Sequence, residues 1–284
     1  MIVAETIVDC RAAVAAAKAD GKRVGFVPTM GALHDGHFSH IDRARRAEAF
    51  VAVSIFVNPT QFGAGEDLDA YPRPREADLD ACRQRGVDLV FAPSVEQMYP
   101  DGPTGGRTSV HVAELPDTLC GRSRPEHFAG VCTVVAKLLN IVQPDVAYFG
   151  QKDYQQAAIV RRMVRDLDVP VEIVVGPTVR EADGLAMSSR NAYLTDDERA
   201  QAVALSQALQ LAADMIHNTH PPAGRVIEAM RAHLAGAAPL GEVDYIQIVD
   251  PDTLADVPAT DRPVVAALAV RFPHARLIDN RVID

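Results

Sequence analysis

The sequence predicts an α/β fold: a parallel sheet covered by helices, followed by a smaller α+β region. Two observations predict it. Short apolar runs alternate with helical patterns over roughly the first 178 residues, and after Val179 that alternation stops. Arg23–Pro28, Phe50–Val57, Asp88–Ala92, Asp145–Phe149 and Val171–Val175 are short, rich in β-branched and aromatic residues, and apolar almost throughout. Such runs suit strands buried on both faces. Phe38–Ala47, Arg75–Arg85, Phe128–Val142 and Tyr154–Leu167 carry helical spacing between them, and strand–helix–strand repetition argues for a parallel sheet. Tyr99–Glu126, rich in Gly, Pro, Arg and Thr, reads as an excursion holding one strand, Thr108–Val112. Beyond Val179, Thr195 and Glu198 form a capping box for an Ala/Leu-rich helix to about His217. Pro221 and Pro222 break it, and a second helix covers about Arg225–Leu234. Asp244–Val249, Val264–Val270 and Arg276–Ile283 then read as consecutive antiparallel strands. The expected domains are 1–178 and 179–284.

A chain of 284 residues, 48% apolar and 23% charged, buries a full core. A net charge of −10 disfavours nucleic acid as a partner, because phosphate neutralisation by Lys and Arg supplies most of such binding. No apolar run reaches the roughly 18–20 residues of a membrane span, and Met1–Glu5 lacks the features of a signal peptide, so no membrane partner and a cytoplasmic location are expected. The four cysteines, Cys10, Cys82, Cys120 and Cys132, fit no zinc spacing and read as idle thiols in a reducing compartment.

In sheets of this kind ligands bind beyond the carboxyl ends of the strands. His34, Asn58 and Lys152 each follow a predicted strand closely and are expected at that edge. Pro28-Thr29-Met30-Gly31-Ala32-Leu33-His34-Asp35-Gly36-His37 places two histidines three apart on a first helical turn, where they share a face. Gly31 and Gly36 admit close backbone approach, and free N–H groups at a helix start favour anions. Two imidazoles there suit a departing pyrophosphate; zinc on His34, His37 and His40 is the rival reading. Gly150-Gln151-Lys152-Asp153 offers a close-approach glycine, a phosphate-binding point charge and an N-cap at Asp153. Met187-Ser188-Ser189-Arg190 is a small hydroxylated, cationic loop near Gly184, of the kind that completes a site on closing. Together these segments suit a protein that grips a triphosphate and breaks it at the α-phosphorus. Gln61 and Gln156 are neutral donors and acceptors, suited to a hydroxylated acid whose carboxylate must stay nucleophilic.

Read together, the chain resembles the pantothenate synthetase family. The resemblance rests on PTMGALHDGH (Pro28–His37), FVNPTQF (Phe56–Phe62), RPEHFAGVCTVVAKLLNIVQPD (Arg124–Asp145), YFGQKDYQQ (Tyr148–Gln156), GPTVREADGLAMSSRNAYL (Gly176–Leu194) and RLIDN (Arg276–Asn280). It implies a Rossmann-like N-terminal domain, a smaller C-terminal lid domain and a homodimer. It also implies ligation of pantoate to β-alanine through pantoyl adenylate, with ATP as substrate and Mg²⁺ accompanying it. The resemblance assigns ATP to Pro28–His37, Gly150–Asp153, Val179 and Met187–Arg190, with His37 as catalytic histidine, supported by His34, Lys152 and Arg190. It assigns pantoate and β-alanine to Gln61, Gln156, Asn58 and Arg124, and fixes no protein ligand for the metal. Asp35 and Gln151 stand where Glu is common.

Overall fold

The apolar runs become a six-stranded, all-parallel sheet with the strand order β1-β4-β3-β2-β5-β6. The computed structural model describes residues 1–63 and 65–284. In chain order the sheet unit runs β1 (Ile2–Ala4), α1 (Ile7–Ala19), β2 (Val24–Thr29), α2 (Asp35–Ala47), β3 (Phe50–Ile55), α3 (Arg75–Gln84), β4 (Leu89–Phe91) and α4 (Val95–Met98). After α5 (Leu119–Ser123) come α6 (His127–Val142), β5 (Val146–Gly150), α7 (Tyr154–Asp166) and β6 (Glu172–Gly176). The remainder is α8 (Asp196–Ala202), α9 (Ala204–Thr219), α10 (Ala223–Ala237), β7 (Glu242–Val249), β8 (Val264–Arg271) and β9 (Arg276–Ile283).

The chain forms two units. The first is Met1–Ala113, Arg124–Gly150 and Gln156–Pro177; the second is Glu114–Ser123, Gln151–Gln155 and Thr178–Asp284. The segments 114–123 and 151–155, which the sequence leaves with the sheet, therefore belong to the second unit.

In the first unit, β2 and β3 are buried along almost their whole length because helices cover both faces. Val27, Val51, Val53, Val90 and Val146 pack with Ile41 of α2 and Leu79 of α3. Chain order reverses at β2, whose neighbours are β3 on one side and β5 on the other. That reversal opens a crevice at the strands' carboxyl ends. It sets the loop after β2, residues 30–34, at the place where ligands of such sheets bind. β6 departs from the expectation of two buried faces: Glu172 is exposed, as an edge strand permits.

Three further features differ from the sequence reading. β1 and α1 have no counterpart in it. Three residues are too few to show a period, and α1 is marked only by Thr6, whose hydroxyl accepts the Asp9 N–H at 3.1 Å. Thr108–Val112 is not a strand: the Val110 N–H donates to the Thr133 hydroxyl at 3.0 Å rather than to a neighbouring strand. Asp153, expected as an N-cap, is the last residue of a 3₁₀ turn, Gln151–Asp153, that runs straight into α7.

In the second unit α9 and α10 lay Leu205, Leu209, Ile216, Val226, Met230 and Leu234 against the antiparallel sheet β7-β8-β9. The Ala/Leu-rich helix is two helices, parted at Val203. The Thr195–Glu198 capping box forms as expected: Thr195 N–H donates to Glu198 Oε2 at 2.8 Å and Glu198 N–H to Thr195 Oγ1 at 3.3 Å.

Candidate active site

In the first unit the Pro28–His37 segment leaves β2, makes a tight turn and enters α2. Gly31 has φ +84°, and a Cβ there would stand 2.9 Å from Asp78 Oδ2. Ala32 follows at φ +50°, a left-handed conformation that costs an L-residue about 1–2 kcal/mol. Asp78 of α3 holds the turn: its Oδ2 accepts the Ala32 N–H at 2.9 Å and its Oδ1 the Leu33 N–H at 2.8 Å. Burial pushes the Asp78 carboxyl up, against the pull of those two N–H groups.

The histidines cap α2 reciprocally. His34 Nδ1 accepts the Gly36 N–H at 3.2 Å, and His37 Nδ1 accepts the His34 N–H at 3.3 Å. The ring centroids are 4.1 Å apart. A ring whose Nδ1 accepts a hydrogen bond is neutral and carries its proton on Nε2, so both side chains are fixed as Nε2–H donors. The backbone is less generous than the sequence suggests. The N–H groups of Gly31, Ala32, Leu33, His34 and Gly36 are spent on Thr29, Asp78 and the two imidazoles. Pro28 and Met30 are half-buried, Thr29 is buried and Asp35 is exposed.

His40 is not grouped with this pair. It is 8% exposed and packs on glycine: a Cβ at Gly176 would stand 2.6 Å from its Cε1, and one at Gly150 3.1 Å from its Nε2. Among the described residues no group of three His, Cys, Asp or Glu side chains could hold a metal ion. All four cysteines are buried and free, and burial pushes the Cys10, Cys82 and Cys132 thiols up to about 11.

The loop after β3 carries Asn58 and Gln61. The Gln61 amide donates through Nε2 to Met30 Sδ at 3.1 Å, joining this loop to the one after β2. Asn58 is 1% exposed, and it lies behind Gln61, to whose Oε1 it donates at 3.1 Å. Arg124 grips Glu66 with Nε at 2.6 Å and Nη2 at 2.5 Å, and donates to the Gln61 carbonyl at 3.3 Å. His127 Nδ1 lies 2.7 Å from the same carbonyl. Arg124 thus holds the backbone of Gln61 while satisfying Glu66. Gln156 is half-buried, whereas its neighbour Gln155, in the second unit, is buried and holds Leu115, Thr118 and Cys120 through their backbones.

Burial alone would raise the Glu66 carboxyl. The hydrogen bond and charge of Arg124, with Gly63 N–H and His127, outweigh it and hold the group below its ordinary 4.5. A depressed carboxyl stabilises the fold above its unfolded pKa, and that contribution is lost as pH falls through the native value. Glu66→Gln should therefore lower Tm most near neutral pH, with the gap to the parent closing as pH falls below the ordinary carboxylate range; a gap that stays constant in thermal melts from neutral to acid pH would contradict the assignment.

In the second unit Val179–Met187 is a small hairpin. Met187 N–H donates to the Val179 carbonyl at 3.0 Å, Arg180 and Ala186 form an antiparallel bridge, and Gly184 turns the chain at φ +98°. Arg180 makes a bidentate pair with the buried Asp279 at 2.6 and 3.0 Å. The Ser188 hydroxyl caps the 3₁₀ turn Ser189–Tyr193 by accepting the Arg190 N–H at 3.3 Å. Asn280 of β9 donates from Nδ2 to the carbonyls of Gln151 at 2.9 Å and Lys152 at 2.8 Å. Lys152, Ser188, Asn191 and Asp279 line one cavity of this unit. Sequence reasoning assigns no role to Asp78, Glu66, Asp279 or Asn280; of these, only Asp279 and Asn280 lie in a recognised segment.

Known proteins match the whole chain. The profile of the family described as Pantoate-beta-alanine ligase matches residues 2–282. A pantothenate synthetase of Solidesulfovibrio magneticus is 57% identical over 92% of this chain and 91% of its own, and one of Moorella thermoacetica is 52% identical over 100% and 99%. A crystal structure of the Thermus thermophilus pantothenate synthetase aligns with TM-score 0.93 at 47% identity, covering 99% of each chain. The Francisella tularensis pantoate-beta-alanine ligase, described as complexed with beta-gamma ATP and beta-alanine, aligns with TM-score 0.80 at 34% identity over 99% of this chain and 97% of its own. On sequence and on fold alike, the chain belongs to the pantoate–β-alanine ligase family.

Proposed function

We propose that this enzyme joins pantoate to β-alanine at the expense of ATP through a pantoyl-adenylate intermediate. A pantoate carboxylate oxygen attacks the α-phosphorus, the bond to the β-phosphate bridge breaks, and pyrophosphate leaves. The neutral amine of β-alanine then attacks the acyl carbon, the carbon–oxygen bond to the phosphate breaks, AMP departs and the nitrogen sheds a proton.

The observation that carries this reading is the reciprocal histidine cap. Two neutral imidazoles with fixed Nε2–H donors suit charge that grows on a leaving pyrophosphate, because preorganised donors cost no reorganisation as the charge develops. His37 is the catalytic donor and His34 its support. Lys152 and Arg190 are the cations of the same reaction, Val179 and Met187–Ser189 contact the nucleotide, and Gln61 and Gln156 hold pantoate. Magnesium arrives with ATP on phosphate oxygens and water, as this ion commonly binds; no described acidic cluster offers it a protein cage. A cytoplasmic homodimer completes the reading. No helix among the described residues is long and apolar enough to cross a membrane.

The test is exchange of labelled pyrophosphate into ATP. The reading requires exchange that depends on pantoate and proceeds without β-alanine; exchange that needs the amine would sink it. Gln61→Ala and Gln156→Ala should each raise KM for pantoate by about tenfold, the loss expected of a hydrogen bond in a desolvated site, and leave KM for ATP near that of the parent. Parallel increases for both substrates in steady-state assays would contradict their assignment to the acid.

A further inference from the structure

The polar cluster behind Gln61 can be oriented atom by atom from the backbone outward. The Gly130 carbonyl only accepts, so the Asn58 atom 3.2 Å from it is the amide nitrogen. The Asn58 oxygen is then Oδ1, and it accepts the Thr60 N–H at 3.4 Å and the Thr60 hydroxyl at 3.0 Å. The second Asn58 N–H meets Gln61 at 3.1 Å, so that Gln61 atom is the acceptor Oε1. Gln61 must therefore turn its NH₂ the other way, where it meets the thioether of Met30 at 3.1 Å. The remaining member is Tyr99. Its hydroxyl donates to Asn58 Oδ1 at 2.7 Å, and it also lies 3.4 Å from Thr60 Oγ1. Tyr99 is 8% exposed, and Lys137 Nζ stands 5.4 Å from its ring centroid.

A thioether is a weak acceptor. An amide N–H held against sulfur exchanges that partner readily for the oxygen of a carboxylate or hydroxyl. The cluster therefore presents a donor, with its acceptor end already consumed, to the acid.

We propose that Tyr99 is a positioning residue for the hydroxy-acid subsite: together with the Gly130 carbonyl and Thr60 its hydroxyl holds Asn58, and through it the Gln61 carboxamide with the NH₂ turned toward Met30, so that Gln61 recognises an oxygen acceptor of the substrate. This rests on the assignment of Gln61 to pantoate. The tyrosine stays a donor across the working pH range, because burial pushes its hydroxyl up from 10.0.

The test is a double-mutant cycle on the full chain with Tyr99→Phe, Gln61→Ala and the pair, after pantoate-dependent pyrophosphate exchange has been established for the parent. Absence of that exchange overturns the functional reading itself. With exchange present, Tyr99→Phe should raise KM for pantoate by about 3- to 10-fold, the usual worth of one buried hydrogen bond. KM for ATP should stay within about twofold. In the Gln61→Ala background the same substitution should leave KM for pantoate unchanged, because the group it orients is gone. Additive effects in the double variant, or equal increases for pantoate and ATP, would overturn the inference while leaving the ligase reading intact. Thermal melts of all three variants identify any that fail to fold; where Tyr99→Phe fails, the smaller Tyr99→Leu, and where Gln61→Ala fails, the near-isosteric Gln61→Met, takes its place in the cycle with the same expected pattern.

Discussion

Lys152→Ala is expected to slow formation of pantoyl adenylate by about 10²–10³-fold, the cost of removing one aimed donor from a developing anion. The fold should tolerate the change. Asn280 grips the carbonyls of Gln151 and Lys152, atoms that alanine retains, so the 3₁₀ turn keeps its anchor. Lys152→Arg should not restore the rate, because a planar fork on a longer reach replaces a compact point charge. His37→Ala should lose rate on the same scale, through loss of its Nε2–H. Single-turnover release of pyrophosphate with pantoate and no β-alanine measures both. A variant that adenylates at nearly the parental rate would remove that residue from the mechanism.

Arg180→Ala is expected to destabilise the chain by about 2–4 kcal/mol, somewhat below the range for a fully buried ion pair, because Asp279 is buried while the guanidinium is 30% exposed. Asp279 is 3% exposed, and without the guanidinium its main remaining donor is the Asn280 N–H at 2.8 Å. Arg180 also ties its own hairpin through the Gly184 carbonyl at 3.1 Å. At about 2–4 °C per kcal/mol, Tm should fall by roughly 10 °C. Activity should fall as well, because Asn280, the neighbour of Asp279, is what holds Lys152. Calorimetry that shows an unchanged Tm would contradict a supporting role for the Arg180–Asp279 pair.

The parts of this molecule legible in its sequence are those written locally. Five of the six parallel strands stand out because a sheet covered on both faces needs unbroken apolar runs, and the Thr195–Glu198 box is complete within four residues. β1 escapes because three residues carry no period, and Thr108–Val112 misleads because β-branched composition does not supply a partner strand. The proposed site residues divide along the same line. The two histidines, Gln61, Lys152 and the Met187–Arg190 loop sit in compact motifs. The contacts that support those segments do not: Asp78 meets Ala32 across 46 positions, Tyr99 meets Asn58 across 41, and Arg180 meets Asp279 across 99. Nothing in the spacing of one sequence couples such pairs; only the fold does. Folding also reverses one local inference, since the main-chain donors expected to be open at Gly31–His34 are consumed within the turn.

In the proposed reaction the acid is activated by transfer of an adenylyl group to its own carboxylate. Pantoate labelled with heavy oxygen in that carboxylate tests it most directly. After turnover with ATP and β-alanine, one labelled oxygen should be found in AMP and none in pyrophosphate. Label in inorganic phosphate, pyrophosphate or water with unlabelled AMP would contradict it.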